Sequence, residues 1–243
     1  MNRKIINRVY NLICKKRLEK TLPTMSRELQ EYFKGSTTTG TQAITLWFAV
    51  REILKHKPKW ILECGTGAST IVLSLAVEKL KTTDPSYTGK IISMESVEEW
   101  FNLATSNLPK SHRNNVEIIY GPREKYEISM FRGYIHSNIP PHPYDFVFLD
   151  GPNFDDENGS TFCADALYVL KQNWTEKVIG VFDARVSSAF VLQTLFGRSA
   201  IKYFVPSLAG TFYLKNRKDF ERFVSTDFRN TISGRVFLRN RFK

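Results

Sequence analysis

Cysteine is scarce: Cys14, Cys64 and Cys163 are the three in 243 residues. They are scattered, odd in number and form no Cys-x-x-Cys pair. Neither a disulfide framework nor a zinc site is therefore expected, and the setting read from them is reducing and intracellular. Long apolar runs are missing as well. No stretch approaches the roughly 18–20 residues that cross a bilayer, and the basic amino terminus lacks the apolar core and small-residue cleavage site of a secretory signal. Internal repeats and low-complexity tracts are also lacking. What is present suits a folded domain: 42% of residues are hydrophobic and 13% aromatic, which excludes disorder throughout. The length fits one domain, with room for a terminal extension.

The charge is uneven. The net value is +11. Residues 1–20 hold seven Lys/Arg against Glu19, and residues 215–243 hold nine Lys/Arg against Asp219, Glu221 and Asp227. Each end therefore nets +6 and the middle −1. A near-neutral body with two basic ends places the charge in the service of the ends rather than the fold. In residues 1–20, Ile5, Ile6, Val9, Tyr10, Leu12 and Ile13 recur at helical spacing among Arg3, Arg8, Lys15, Lys16 and Arg17. Such a helix lies on an anionic membrane surface or docks on its own domain, and the sequence leaves both open. Pro23 marks a break, and Gly35 to Gly40 reads as a polar loop.

The informative stretch is Trp60-Ile-Leu-Glu-Cys-Gly-Thr-Gly-Ala-Ser-Thr70. Trp60 to Leu62 reads as a buried strand, Glu63 to Gly67 as a glycine turn, and Ser69 to Val77 as the start of a helix. Strand, glycine turn and helix bring backbone close to a nucleotide-like ligand at a helix N-terminus. A side chain at Gly65 or Gly67 would block that approach or forbid positive φ in the turn. The spacing is Gly-x-Gly without the third glycine of the dinucleotide fingerprint, and Glu63 suits a cationic amino-acid head group better than a pyrophosphate. Upstream, residues 41–54 read as a helix with Ile44, Trp47 or Phe48 and Leu54 on its apolar stripe.

Further strands follow at Lys90–Glu95, at Asn115–Tyr120, in a buried run after Asp145 that ends at Asp150 and a Gly-Pro turn, and at Lys177–Arg185, with helices from Val97 onward, over Cys163–Lys171 and over Val186–Phe196. Two final strands, 200–205 and 211–215, are joined by a turn. Glu63, Glu95 and Asp150 each place an acid at the carboxyl end of a strand, where open α/β sheets bind ligands. His136 and His142 flank Pro140-Pro141 in what reads as a loop before the fourth strand.

Glu63-x-Gly65-x-Gly67-x-Ser69 at the end of a first strand resembles motif I of the class I S-adenosylmethionine-dependent methyltransferases. The acid closing the second strand and Asp150-Gly151-Pro152 extend the resemblance over roughly residues 40–215. It implies an α/β fold, a Rossmann-like and mostly parallel sheet that ends in an antiparallel hairpin, with helices on both faces. The domain would span 35–215, between a basic helical extension (1–34) and a basic C-terminal extension (216–243). It implies S-adenosylmethionine held by Glu63, Gly65, Thr66, Gly67, Ser69, Thr70, Glu95, Ser96 and Asp150, with Glu95 on the ribose hydroxyls. Gly121-Pro122 departs from the acidic or polar residue that often meets adenine after the third strand, so adenine recognition is unassigned.

Methyl transfer to a hydroxyl needs donor and acceptor held in line and a proton removed. Asp150 and Asp183 stand at adjacent strand ends for that task, and Arg185 is placed to hold an anionic substrate group. Some sugar and catechol O-methyltransferases bind a divalent cation through acids at these two positions. Ala184 stands where the catechol type often has Asn, so no metal is assigned unless Asp150 and Asp183 supply it. Leu149-Asp-Gly-Pro152 with Val181-Phe-Asp-Ala-Arg-Val186 is faintly similar to the glucuronoxylan-type polysaccharide O-methyltransferases and tilts the acceptor toward a saccharide or other small polar metabolite. A nucleic-acid methyltransferase is the alternative, its basic ends gripping phosphates, although no Asn/Asp-Pro-Pro-Tyr/Phe or Pro-Cys motif is present. A non-catalytic module of the same fold is the third. The expected location is cytoplasmic, peripheral at a membrane if the basic ends bind an anionic membrane or glycan.

Overall fold

The computed structural model describes residues 3–35, 42–151, 155–156, 159–160 and 162–216. Most of the polar loop after Gly35, the acid at Glu157, Pro152 and the basic segment from Arg217 onward lie outside the described residues.

Five parallel strands make the frame: β1 (Trp60–Cys64), β2 (Lys90–Glu95), β3 (Val116–Tyr120), β6 (Phe146–Leu149) and β9 (Lys177–Phe182). The hairpin of β10 (Ile201–Phe204) and β11 (Ala209–Lys215) completes a seven-stranded sheet in the order β10-β11-β9-β6-β1-β2-β3, with β11 antiparallel to β9. β1 therefore lies between β2 and β6, where the order reverses and where such sheets form their ligand crevice.

The central strands are apolar at nearly every position because both faces are covered. Ile61, Ile91, Phe146 and Phe148 point to a core shared with α1 (Arg3–Thr21), α2 (Met25–Lys34), α3 (Ala43–His56) and α4 (Ala68–Thr83). Leu62, Cys64, Met94, Val147 and Leu149 point the other way, into a core shared with α6 (Asp165–Lys171) and α7 (Val186–Phe196). α5 (Glu98–Asn107) follows β2. Asp145 fastens the amino ends of β1 and β6, accepting from the backbone N–H of Lys59 and Trp60 at 3.0 Å each.

Three elements differ from the sequence reading. Residues 123–136 form a hairpin, β4 (Arg123–Ile128) and β5 (Phe131–His136), which packs on the second core through Ile128 and Ile135. α3 buries Leu46, Ala49, Val50 and Ile53, while Trp47, Phe48 and Leu54 are only half-buried. Cys163 precedes α6 rather than starting it, and bridges to Tyr134. A short ladder pairs β7 (Asp155–Asp156) with β8 (Gly159–Ser160). Between α5 and β3, the 3-10 turn Lys110–Asn114 buries His112 completely, with Nδ1 2.8 Å from Ser74 Oγ and Nε2 2.6 Å from Glu28 Oε2. That side chain ties α2 to α4.

Candidate functional site

Glu63 is wholly buried near the carboxyl end of β1, on the α4 side of the sheet. The strand register places Ser93 opposite it, and Ser93 Oγ donates to Glu63 Oε2 at 2.6 Å. Thr70 Oγ1, one turn into α4, donates to the same oxygen at 2.7 Å and accepts the Gly67 N–H at 3.0 Å. Thr66 Oγ1 lies 2.8 Å from Ser93 Oγ, which extends the chain of hydroxyls. Burial pushes the Glu63 carboxyl up to about 7; the hydroxyls of Ser69, Ser93 and Thr70 oppose that rise, and the Asp150 charge adds to it. Its second oxygen, Oε1, is buried and, among the described residues, accepts no hydrogen bond of normal geometry, although the Ser69 hydroxyl stands close enough to act on the carboxyl. An orphaned carboxylate oxygen at this depth is costly unless a donor arrives to meet it.

The expected positive φ is found at Gly65 (96°) and not at Gly67, whose φ of 172° is extended backbone open to any residue. The reason Gly65 must be glycine is partly local and partly across the sheet. A Cβ there would lie 2.9 Å from Gly151 N and 3.0 Å from Asp150 C, and a Cβ on Gly151 would lie 2.8 Å from Gly65 N. The turns after β1 and β6 thus press backbone to backbone, and Gly151 is a second indispensable glycine that the sequence reading treated only as part of a turn.

Glu95 closes β2 and is buried; its Oε1 accepts from the N–H of Ser96 (2.8 Å) and Val97 (2.9 Å), at the N-terminus of α5. Burial raises its pKa while those amides and the nearby His136 restrain the rise. The side chain thus fixes the two residues that lead from the strand end into α5. Asp150 follows β6, its N–H on the Cys64 carbonyl at 2.9 Å, and Asp183 follows β9, its N–H on the Leu149 carbonyl at 3.2 Å. Thr45 Oγ1 of α3 donates to Asp183 Oδ1 at 2.9 Å. Burial raises the Asp183 pKa, against the Thr45 hydrogen bond and the Arg185 charge. Arg185 is buried and donates to the Asp150 carbonyl oxygen, so it braces the two strand ends. Between Asp183 and Arg185, Ala184 is held at φ 35°, a strained backbone position of the kind that collects at functional turns.

The two histidines separate. His142 stacks on Trp60 with ring centroids 3.8 Å apart, at the amino end of β1 and away from the acids. A cavity of about 310 Å³ opens at that same end, lined by Trp60, Lys90, Arg113 and Val116 among others. It is remote from the acids at the opposite strand ends. His136 is in β5, not a loop, and is buried. Asp165 holds it twice, Oδ1 accepting the backbone N–H at 2.8 Å and Oδ2 lying 2.9 Å from Nδ1. Nε2 is buried and has no hydrogen-bond partner among the described residues. Cys163 Sγ lies 2.7 Å from the Gly151 carbonyl oxygen and 3.3 Å from Asp165 Oδ2. Cys64, Cys163 and Asp165 bring their ligand atoms within 4.8 Å of one another, and this group does not include Asp150 or Asp183.

No protein-family model and no curated protein matches the sequence. Solved structures do resemble the fold. An SAH-bound methyltransferase of Podospora anserina superposes with a TM-score of 0.50 at 14% identity, over 99% of this chain and 88% of that one. The O-methyltransferase TomG of Streptomyces achromogenes, solved in complex with SAM, gives 0.46 at 17% identity, over 82% and 89%. The fold is that of the class I S-adenosylmethionine-dependent methyltransferases: a mostly parallel, Rossmann-like sheet that ends in an antiparallel hairpin.

Proposed function

We propose that this chain is an S-adenosylmethionine-dependent methyltransferase acting on a hydroxyl of a saccharide or another small polar metabolite. The observation that carries the proposal is the trio Glu63, Glu95 and Asp150 at the carboxyl ends of three neighbouring parallel strands, around the Gly65 turn. The residues suit that cofactor: among the described residues Glu63 Oε1 has no hydrogen bond of normal geometry, and the cofactor has an ammonium group to offer. In this reading Glu95 would meet the ribose hydroxyls, and the Gly65 turn would let backbone approach the cofactor closely. When bound, S-adenosylmethionine supplies an electrophilic sulfonium methyl group.

The chain's part is orientation and proton handling. Asp183, with one oxygen fixed by Thr45 and its pKa raised by burial, is the residue best placed to accept the hydroxyl proton. Asp150 would stand between the cofactor and acceptor sides in this reading, and Arg185 donates to its backbone carbonyl. The saccharide preference rests on the sequence resemblance around Asp150 and Asp183.

The test is to incubate the purified chain with S-adenosylmethionine and a panel of saccharides and small hydroxylated metabolites, reading methylated product by mass spectrometry. Asp183→Asn should lower turnover about 10²–10⁴-fold, the usual worth of a general base, with cofactor affinity unchanged. Wild-type turnover in that variant, with and without chelator, would remove both a base and a cation-binding role for Asp183. Cofactor binding without any product across the panel would favour a non-catalytic module.

A further inference from the structure

α1 is docked by one face only. Cys14 and Leu18 are buried against the body, and Asn11 Oδ1 accepts the Ile44 N–H at the start of α3 at 3.2 Å. Tyr10 meets the Phe204 ring at 4.8 Å between centroids. The face turned away from α3 carries Ile5, Val9, Leu12 and Ile13, and these are 56%, 47%, 56% and 40% exposed. Their spacing of four, three and one residues makes a single outward stripe along the first three turns. A docked helix that needed only to cover its own domain would carry polar residues there.

Cations frame the stripe. Arg8, Lys15, Lys16 and Lys20 are all exposed on the same helix, and Glu19 is the one acid within residues 1–20. No helix among the described residues is long and apolar enough to cross a membrane. An apolar stripe flanked by Lys and Arg on a helix too polar to insert is the pattern of a segment lying in the plane of an anionic bilayer. We infer that α1 seats the molecule on an anionic membrane surface, with Ile5, Val9, Leu12 and Ile13 entering the interfacial layer and the surrounding cations meeting lipid headgroups. Because its opposite face is anchored to α3, the body is held in a fixed orientation rather than tethered. Thr45, next to the Ile44 held by Asn11, donates to Asp183, so α1 rests beside the strand-end acids.

The experiment is co-sedimentation of the full chain with vesicles of phosphatidylglycerol and phosphatidylcholine, or of phosphatidylcholine alone, at low and high salt. Wild type should partition onto the anionic vesicles at least tenfold more than onto the neutral ones, and lose that preference in high salt. Each cation near such a surface multiplies partitioning roughly fivefold. The triple variant Ile5→Ser, Val9→Ser, Leu12→Ser alters only exposed side chains and should keep its fold while losing at least tenfold in binding. Lys16→Glu with Lys20→Glu should lose the salt-sensitive part. Equal binding of wild type to both vesicles, or undiminished binding by the triple variant, overturns the inference. So does a wild-type dimer in solution that the triple variant turns into a monomer, since a second copy would then cover the stripe.

Discussion

Gly65→Ala is expected to unfold at markedly lower urea concentration than wild type and to lose measurable cofactor binding. Two costs meet at this position. Its φ of 96° is left-handed, which charges an L-residue about 1–2 kcal/mol. Its added Cβ would stand 2.9 Å from Gly151 N and 3.0 Å from Asp150 C, both backbone atoms that no rotamer change can move aside. Overpacking of this kind adds about 1–3 kcal/mol, for a total of about 2–5 kcal/mol. Two controls separate the costs. Gly197 has φ 89° and ψ 164°, a region that only glycine occupies freely, with nothing among the described residues within 4 Å of its Cβ position, so Gly197→Ala should show a conformational cost alone, about 1–3 kcal/mol. Gly151 has no positive φ but a 2.8 Å clash with Gly65, so Gly151→Ala should show the steric cost alone, about 2 kcal/mol. If Gly151→Ala unfolded at the wild-type urea midpoint, the backbone contact between the two turns would have no energetic weight.

What the sequence makes legible follows from how local each signal is. The five parallel strands are short apolar runs ending at an acid or a glycine turn, so β1, β2 and β6 and the acids that close them can be read residue by residue. The β4–β5 hairpin is hidden in the sequence because charged residues crowd its alternation: Tyr126 and Ile128 face inward, while Arg123, Glu124, Lys125 and Glu127 are exposed. Phe131 and Ile135 repeat the period on the return strand, and Ser129 at φ 55° makes the turn. That period of two was the available signal. On α3 the sequence marks the buried Ile44, but Trp47 and Phe48 outweigh Leu46 and Ala49 in bulk, and aromatics half-covered by α1 look like core in a sequence.

Side-chain partnerships across the fold were out of reach. Asp165 and His136 are 29 residues apart, and Thr45 and Asp183 are 138 apart. Nothing in either local pattern announces the other. Topology brings Thr45 to Asp183 because α3 packs across β9 and β11. The hydroxyls of Ser93 and Thr70 were legible as a strand residue and a helix residue, but only the register of β1 against β2 makes both of them donors to one oxygen of Glu63.

Glu63 gives the second large effect, and it is read through pH. Its carboxyl ionises near 7 in the folded chain because burial disfavours the charge, against an ordinary value of 4.5. Between those two values the folded state holds a proton that the unfolded state has released, so stability falls as pH rises through that window. The stabilising contribution is complete below 4.5 and gone above 7, a loss of about 3 kcal/mol at 1.36 kcal/mol per pH unit. Asp183 and Glu95, also raised by burial, push in the same direction. The difference between wild type and Glu63→Gln therefore isolates Glu63. The variant's urea midpoint should be markedly flatter from pH 5 to pH 8. Ligand binding should run the opposite way. A cationic head group that meets Oε1 needs the ionised carboxylate, so affinity for S-adenosylmethionine should rise up to tenfold per pH unit below 7 and level off above it. Proton release should appear as a buffer-dependent heat in calorimetry. In Glu63→Gln the affinity should be weak at every pH and the buffer dependence absent. An unchanged pH slope in that variant, for stability and affinity alike, would mean that Glu63 neither titrates in this range nor meets the ligand.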